Sequence, residues 1–148
     1  MKRSASFFLI VLFSGLFAFA PAKNKDITDD VLAYTNAFRE SKGLSDLQSN
    51  PILDAIAQKH SEDMAAGRVK FGHDGFAKRN SEAQKQIAGL RSFAENVAFG
   101  VQTGQDVVNL WKNSEGHRKN MLGKFSRIGI GVAKDKQARL FYTQIFGD

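Results

Sequence analysis

The sequence predicts an α+β protein in which a small sheet lies between two helical layers. Segments with helical spacing of apolar residues come first, and two segments with strand-like character close the chain. The last of these, Arg139 to Phe146, is apolar on both of its faces. A strand of that kind is covered on both sides, so helices are expected above and below it. The predicted architecture is a three-layer α-β-α sandwich.

Residues 1–22 are predicted to be a secretory signal peptide and not part of the fold. Lys2 and Arg3 precede an uncharged apolar run, Phe7 to Ala20, which is short for a membrane span. Small residues follow it, and cleavage after Ala22 is expected; the alternative is an uncleaved N-terminal anchor. One domain, residues 23–148, would then be exported to the periplasm or the extracellular space, with no stable membrane span after cleavage.

The net charge and the cysteine content indicate what class of protein this is and which partners it is expected to have. The net charge of +6 falls to +4 without Lys2 and Arg3, and the 148 residues include no cysteine. A domain of this length is stable without disulfides, and an exported domain that lacks them suggests a bacterium. The basic residues form no arginine-rich run, so nucleic acid is not an expected partner. The net positive charge is compatible with attraction to anionic cell-surface polymers or lipid headgroups. We expect a monomer.

The first predicted helix runs from Asp26 to Lys42. Thr28 is its expected cap, and Gly43 follows its end. Asn36 and Arg39 lie one turn apart beside its apolar stripe. We expect their side chains to tie the helix to neighbouring backbone.

The second predicted helix begins at Asn50 and Pro51, a capping side chain followed by proline at the first helical position. It ends at Gly67. His60 lies on its apolar stripe, and a lone histidine there is more often a satisfied core residue than a ligand.

A loop from Arg68 to Phe76 follows, with His73 as its polar tip, and then a short helix from Phe76 to about Ile87. The next segment, Ser92 to Gly100, is mostly apolar but carries Glu95 in its middle. A buried carboxylate needs a cation, a histidine or backbone donors. Glu95 is therefore either a site residue or a structural acceptor of loop N–H groups.

The stretch from Trp111 to Leu122 places three polar side chains, Glu115, His117 and Arg118, between apolar anchors. We expect a bend that presents His117 to a cleft shared with His73 and Glu95. Arg118 is expected to brace the bend through backbone carbonyls.

Two strands close the chain. In Arg127 to Lys134, isoleucine and valine alternate with Gly129 and Gly131, and the bare glycine face allows another element to approach closely. A turn at residues 135–137 leads into the final strand.

Together these segments resemble the CAP superfamily, also called the SCP domain, and above all its bacterial single-domain branch. The resemblance covers nearly all of the chain after the signal peptide. Its carriers, in chain order, are NxxR (Asn36, Arg39), AxxHSEDMA (57–65), FGHDGF (71–76), AENVAFG (94–100), VVNLWKNSEGHRKNML (107–122), IGIGVA (128–133) and FYTQIFG (141–147). It implies an α-β-α sandwich with a surface cleft, in which members often place two His and two Glu and some bind a divalent metal.

The resemblance also implies which residues line that cleft. His73 matches the family's loop histidine, Glu95 matches the glutamate of its GEN motif, and Gln144 follows Thr143 in its TQ motif. A histidine of the disulfide-rich branch is replaced here by Phe141, so His117 is expected to supply the second imidazole.

The second family glutamate has no exact counterpart. Ser114 stands at its position, and Glu115 lies one residue further on. The implied cleft is therefore His73, Glu95 and His117, with Glu115 and Gln144 as further members. The implied ligands of a divalent cation, zinc or similar, are His73, His117 and Glu95.

Three roles follow for this cleft. The first is a binding module for a small molecule, a lipid, a cell-envelope component or a divalent metal, within an apolar surround of Phe71, Phe76 and Phe99. The second is a metal-dependent hydrolase of peptides or cell-wall material, since two imidazoles and a carboxylate are the minimum for catalytic zinc. The third is a purely structural network. With no HExxH motif and no evident nucleophile, a binding module is favoured over an enzyme.

Overall fold

The computed structural model describes residues 26–148, and the predicted signal peptide lies outside that range. The described part contains five helices and four strands. In chain order they are α1 (Ile27–Glu40), β1 (Gln48–Ser49), α2 (Pro51–Ala65), α3 (Phe76–Gln86), β2 (Phe93–Phe99), α4 (Gly104–Lys112), α5 (Glu115–Met121), β3 (Arg127–Lys134) and β4 (Leu140–Gly147). Within these residues no helix is both long and apolar enough to cross a bilayer.

The four strands form one sheet in the order β1-β3-β4-β2. β1 runs parallel to β3, while β4 pairs antiparallel with both β3 and β2. β4 therefore lies inside the sheet, and every one of its residues is buried, as its two apolar faces predict. β2 lies at one edge of the sheet, so side chains from both helical layers can meet beside it.

The predicted three-layer sandwich is confirmed by the way β4 divides its side chains. Tyr142 and Phe146 pack into a core shared with α1, α4 and α5, whose largest member is Trp111. Ile145 points the other way and packs with α2 and α3 residues such as Leu53 and Ala83. One helical layer thus covers each face of the sheet.

The predicted bare glycine face of β3 is confirmed, and α2 lies against it. A Cβ atom on Gly129 would overlap the backbone of Leu53, and one on Gly131 would overlap the backbone of Ala57 and Gln58. The helix is held in this position by side-chain bonds to β3. Asp54 accepts from the Ile130 N–H at 2.8 Å, and Gln58 both accepts from the Val132 N–H and donates to its carbonyl.

Asn36 and Arg39 of α1 bind backbone, as predicted. The Asn36 amide exchanges two hydrogen bonds with the backbone of Leu47. Arg39, which is buried, donates to four carbonyls: that of Ser45 in the α1–β1 connection, and those of Met121, Gly123 and Phe125 at and after the end of α5. These bonds fix the α1–β1 connection and the end of α5.

Some boundaries differ from the sequence-based expectations. α1 is capped by Asp26, whose carboxylate accepts from the Thr28 N–H, so Thr28 is not the cap. His117 lies inside α5, because that helix already begins at Glu115 and the bend is confined to the two residues before it. No strand is predicted between the first two helices, but β1 lies there. Its pairing with β3 is long-range, and two residues are too few for a strand pattern to show.

Replacing Gly131 with alanine tests the close packing of α2 on β3. We expect Gly131→Ala to lower the free energy of unfolding by about 3 kcal/mol or more, because the clash is with backbone that cannot turn away. Urea denaturation measures the difference. Gly116→Ala is the matched control. A Cβ atom at this position meets nothing within 4 Å, so the substitution should raise the free energy of unfolding by roughly 0.5–1 kcal/mol. Equal effects of the two substitutions would contradict the packing described.

Candidate functional site

The candidate site forms at the outer edge of β2, where the strand's alternation sends neighbouring side chains to opposite layers. Glu95 faces the layer of α2 and α3, and Asn96 faces the layer of α4 and α5. Because β2 is an edge strand, groups from both layers can reach around it. A polar cluster assembled from five separate segments results.

The Glu95 carboxylate is the centre of this cluster. Its side chain is completely buried. Arg79 of α3 donates to both of its oxygens, Nε to Oε2 at 2.6 Å and Nη2 to Oε1 at 2.7 Å. The Nδ1 atom of His73 lies 2.9 Å from Oε1, and the Nε2 atom of His60 lies 3.9 Å from the same oxygen. A fork of this kind fixes the orientation of the buried carboxylate.

Arg79 also holds the loop that carries His73. Its Nη1 atom donates to the Asp74 carbonyl at 2.7 Å, and Nη2 lies 3.5 Å from the His73 carbonyl. The residue is buried, and one side chain thereby ties the loop, α3 and β2 together. Sequence reasoning missed Arg79. The available signal was its spacing from Phe76 and Ala83, which places it on the inner face of α3.

The tautomer of His73 follows from this arrangement. Since the Glu95 oxygens can only accept, Nδ1 of His73 carries the proton and donates it. The second ring nitrogen, Nε2, is then the acceptor, and about half of the side chain (49%) is exposed to solvent. A histidine oriented by a buried carboxylate is the arrangement that enzymes use for general bases and that proteins use for metal ligands.

His60 forms the inner wall of the cluster. It is buried, and its Nε2 atom lies 2.9 Å from the Gly72 carbonyl, to which it donates. Burial lowers the pKa of the His60 ring below its ordinary value, and the Gly72 carbonyl offsets part of that effect. The prediction of a satisfied core histidine agrees with this environment. Its proximity to Glu95 was not expected.

On the other layer, Asn120 of α5 ties the helix to β2. Its Nδ2 atom donates to the Glu95 carbonyl at 3.1 Å and to Oδ1 of Asn96 at 2.9 Å. Asn96 in turn donates to the His117 carbonyl and to Oε1 of Gln144. The position of α5 is thus fixed by side-chain amides of both elements, Asn96 of β2 and Asn120 of α5.

Gln144 supports the site from beneath and does not line it. Its side chain is fully buried in the sheet, and Nε2 donates to the Thr35 hydroxyl at 2.9 Å. Both ends of the amide are therefore occupied by Asn96 and Thr35. The implied place for Gln144 in the cleft wall is corrected accordingly.

His117 and Glu115 have different environments on α5. The Nδ1 atom of His117 is buried and, among the described residues, has no hydrogen-bond partner. Burial lowers the pKa of this ring, and the positive charge that His73 carries when it is protonated lowers it further. Glu115 is exposed and forms no hydrogen bond or ion pair within residues 26–148, so it takes no part in the cluster. Arg118 braces the bend through the Lys112 carbonyl at 2.9 Å.

A depression of about 320 Å³ opens beside the cluster. Its walls are His73, Phe76, Phe93, Ala94, Glu95 and Asn120. The rings of Phe76 and Phe93 pack edge to face with centroids 5.2 Å apart. Only Phe76 of the three expected surrounding phenylalanines lines this depression, because Phe71 and Phe99 pack against Phe141 instead.

The expected three-ligand metal set, His73, Glu95 and His117, does not fit this geometry. Both oxygens of Glu95 are held by Arg79, and a guanidinium at that distance repels a cation. Within residues 26–148, no three side chains of His, Cys, Asp or Glu are grouped so as to hold a metal ion. His73 and His117 are the two side chains that could still offer ring nitrogens.

Comparison with known sequences gives a coherent set of relatives. The model of the cysteine-rich secretory protein family, CAP, matches residues 32–146. The uncharacterized protein YkwD of Bacillus subtilis (strain 168) is 35% identical over 118 residues, which are 78% of this chain and 46% of YkwD. The chain thus spans less than half the length of this relative.

Solved structures agree with the sequence comparison. An extracellular protein containing an SCP domain from Bacillus anthracis str. Ames superposes with a TM-score of 0.65 and 32% identity, over 81% of this chain and 39% of that one. An outer surface protein from Borrelia burgdorferi superposes with a TM-score of 0.72 over 83% of this chain and 95% of that one. At 20% identity, the second match supports the fold alone.

Removing the Arg79 cation tests the buried pair. We expect Arg79→Met to lower the free energy of unfolding by about 3–5 kcal/mol, because the buried Glu95 carboxylate loses its partner. Adding Glu95→Gln should recover part of that loss by removing the charge. Urea denaturation of the single and double variants measures both effects. Arg91→Met is the matched control, since Arg91 is exposed and forms no ion pair among the described residues. If Arg79→Met and Arg91→Met lowered the free energy of unfolding equally, the buried pair would not stabilise the fold as described.

Proposed function

Since the chain belongs to the cysteine-rich secretory protein (CAP) family, we propose that it is an exported bacterial binding module. Its cleft at the edge of β2 holds a small ligand with one polar group and an apolar body, such as a lipid or another cell-envelope component. Export is supported by the N-terminal segment and by one similar protein that is described as extracellular.

The observation that carries this proposal is the half-exposed ring of His73 at the mouth of the depression. Glu95 and Arg79 fix that ring, so an accepting nitrogen is presented to solvent without reorganisation. Phe76 and Phe93 supply an apolar wall next to it. A concave surface with an apolar lining and a few fixed polar groups is the usual composition of ligand sites, and about 320 Å³ suits a small ligand or one end of a larger one.

Binding to residues 23–148 can be measured with a panel of fatty acids, lysophospholipids and muropeptide fragments. We expect at least one class to shift the backbone amide resonances of His73 and Phe76 in ¹H–¹⁵N spectra. His73→Ala should weaken that binding about ten-fold through the lost hydrogen bond.

Glu115→Gln is the control, since Glu115 is exposed on α5 and lies outside the depression. It should leave the affinity unchanged. A panel in which no compound shifts the His73 or Phe76 resonances would reject the proposed ligand classes, and equal affinities in all three proteins would reject the site.

A second candidate function is a divalent-metal-dependent hydrolase. The observations in its favour are that His117 has a buried nitrogen without a partner among the described residues and that His73 is oriented by a carboxylate. In this case Glu95 acts as the positioning residue for His73, because its own oxygens are occupied. The two imidazoles fall one protein ligand short of the minimum for catalytic zinc, so this candidate is the weaker of the two.

Zinc titration by calorimetry separates the two candidates. If the cleft is a metal site, both His73→Ala and His117→Ala bind zinc at least ten-fold more weakly, because each loses a ligand. Glu115→Gln serves again as the control. Unchanged zinc binding in both histidine variants would remove the metal site. Zinc-loaded protein that cleaves neither peptides nor cell-wall fragments would remove the hydrolase.

A further inference from the structure

A second group of phenylalanines lies at the far end of β2 from the cluster just described. Phe71 contacts Phe99 edge to face with ring centroids 4.8 Å apart, and Phe99 stacks on Phe141 at 5.6 Å. Phe141 is buried and forms the base of the group. Phe71 and Phe99 are 47% and 44% exposed, which is unusual for side chains that otherwise fill cores.

The topology places a basic turn beside these rings. Phe99 pairs with Phe141 across β2 and β4, and Lys134 pairs with Leu140 across β3 and β4. The end of β2, the start of β4 and the β3–β4 turn therefore lie at one end of the sheet. A depression of about 640 Å³ lies at this end beside the β3–β4 turn, with Phe141 and the basic residues Arg68, Lys134, Lys136 and Arg139 among its walls.

The positive charge at this end is only partly neutralised. Asp63 is shared by Lys59 and Arg68, and Asp135 is held by Arg139. Three exposed lysines, Lys70, Lys134 and Lys136, have no acidic partner among the described residues. Glu62 also lines the depression, and its carboxylate, which accepts from the Gln58 amide, offsets one of these positive charges. We call this surface, formed by Phe71, Phe99 and the three unpaired lysines, the aromatic-basic end.

We propose that the aromatic-basic end docks on the surface of an anionic phospholipid bilayer. Phe71 and Phe99 enter the interface between headgroups and acyl chains, and the lysines bind lipid phosphates. Each basic residue near such a surface strengthens binding about five-fold. Transfer of the exposed aromatic rings out of water strengthens binding further, in proportion to their apolar area.

Charge complementarity favours a bilayer over the other occupants. A second copy of the chain related by two-fold symmetry would bring the same three lysines towards each other, which is repulsive. A soluble polyanion would satisfy the lysines but leave both rings in water. The proposal is independent of the proposed function, because it uses none of the residues that line the depression at His73.

Sedimentation with vesicles tests the proposal on residues 23–148, which contain the whole described fold and exclude the apolar N-terminal run. Vesicles of phosphatidylglycerol and phosphatidylcholine should bind the protein at low salt, and vesicles of phosphatidylcholine alone should bind it at least ten-fold more weakly. Binding should fall in 1 M NaCl, where charges are screened within about 3 Å.

Two variants separate the aromatic and basic contributions. Replacing Lys70, Lys134 and Lys136 with glutamine should weaken partitioning between about ten- and a hundred-fold. Phe71→Ser should weaken it about five- to ten-fold by removing an exposed ring. The charge-matched control replaces Lys85, Lys119 and Lys124, which are exposed on α3, on α5 and before β3, and should keep most of the binding. Circular dichroism confirms that each variant is folded.

Several results would overturn the proposal. Equal binding to neutral vesicles, or equal losses in the two lysine triples, would show that this surface is not specific. Competition by soluble polyphosphate that does not depend on Phe71 would assign the surface to a polymer. Dimers that Phe71→Ser dissociates, with no vesicle binding, would assign it to a second copy.

Discussion

The buried ion pair between Arg79 and Glu95 is the constraint on which the arrangement of this molecule depends. A carboxylate with no solvent exposure is tolerated only if a cation or several donors stay beside it. Arg79 meets that requirement and also binds the carbonyls of the loop before α3. Its position therefore decides where α3 packs, how the loop closes and which way the His73 ring faces. The geometry of the candidate site therefore follows from a requirement of folding, namely that the buried Glu95 carboxylate keeps the Arg79 cation beside it.

The two layers contribute to the cleft in different ways. The α2 and α3 side supplies charged groups that are mutually satisfied, so its geometry is rigid. The α5 side supplies an amide, Asn120, and the same helix carries His117, whose buried nitrogen has no partner among the described residues. Unsatisfied buried nitrogens are costly, and a ligand or water that reaches this atom would gain the missing bond. This unsatisfied nitrogen thus lies on α5, the shortest of the described helices.

Local patterns predicted the helices, the two C-terminal strands and the layer order, because these depend on periodicity and caps that a single segment contains. The glycine face of β3 and the double-sided apolar pattern of β4 even indicated what covers them. Arg79 escaped notice because its partner lies 16 residues away, and a charge on a polar helix looks like a solvated one. Gln144 was placed on the wrong surface for the same reason: its partner Thr35 lies 109 residues away. A side-chain pair that joins two layers leaves no recognisable pattern in the sequence of either segment alone.

The side chains that hold α2 and α5 to the sheet also close its two open edges. β1 covers only two residues of β3, and beyond them Asp54 and Gln58 occupy the outer backbone groups that another strand would pair with. At the opposite edge, Asn120 caps the Glu95 carbonyl of β2. Unpaired edges invite strand addition from other chains and hence aggregation. A protein that secures its sheet in this way can expose apolar rings at one end and still resist fibril growth through its backbone.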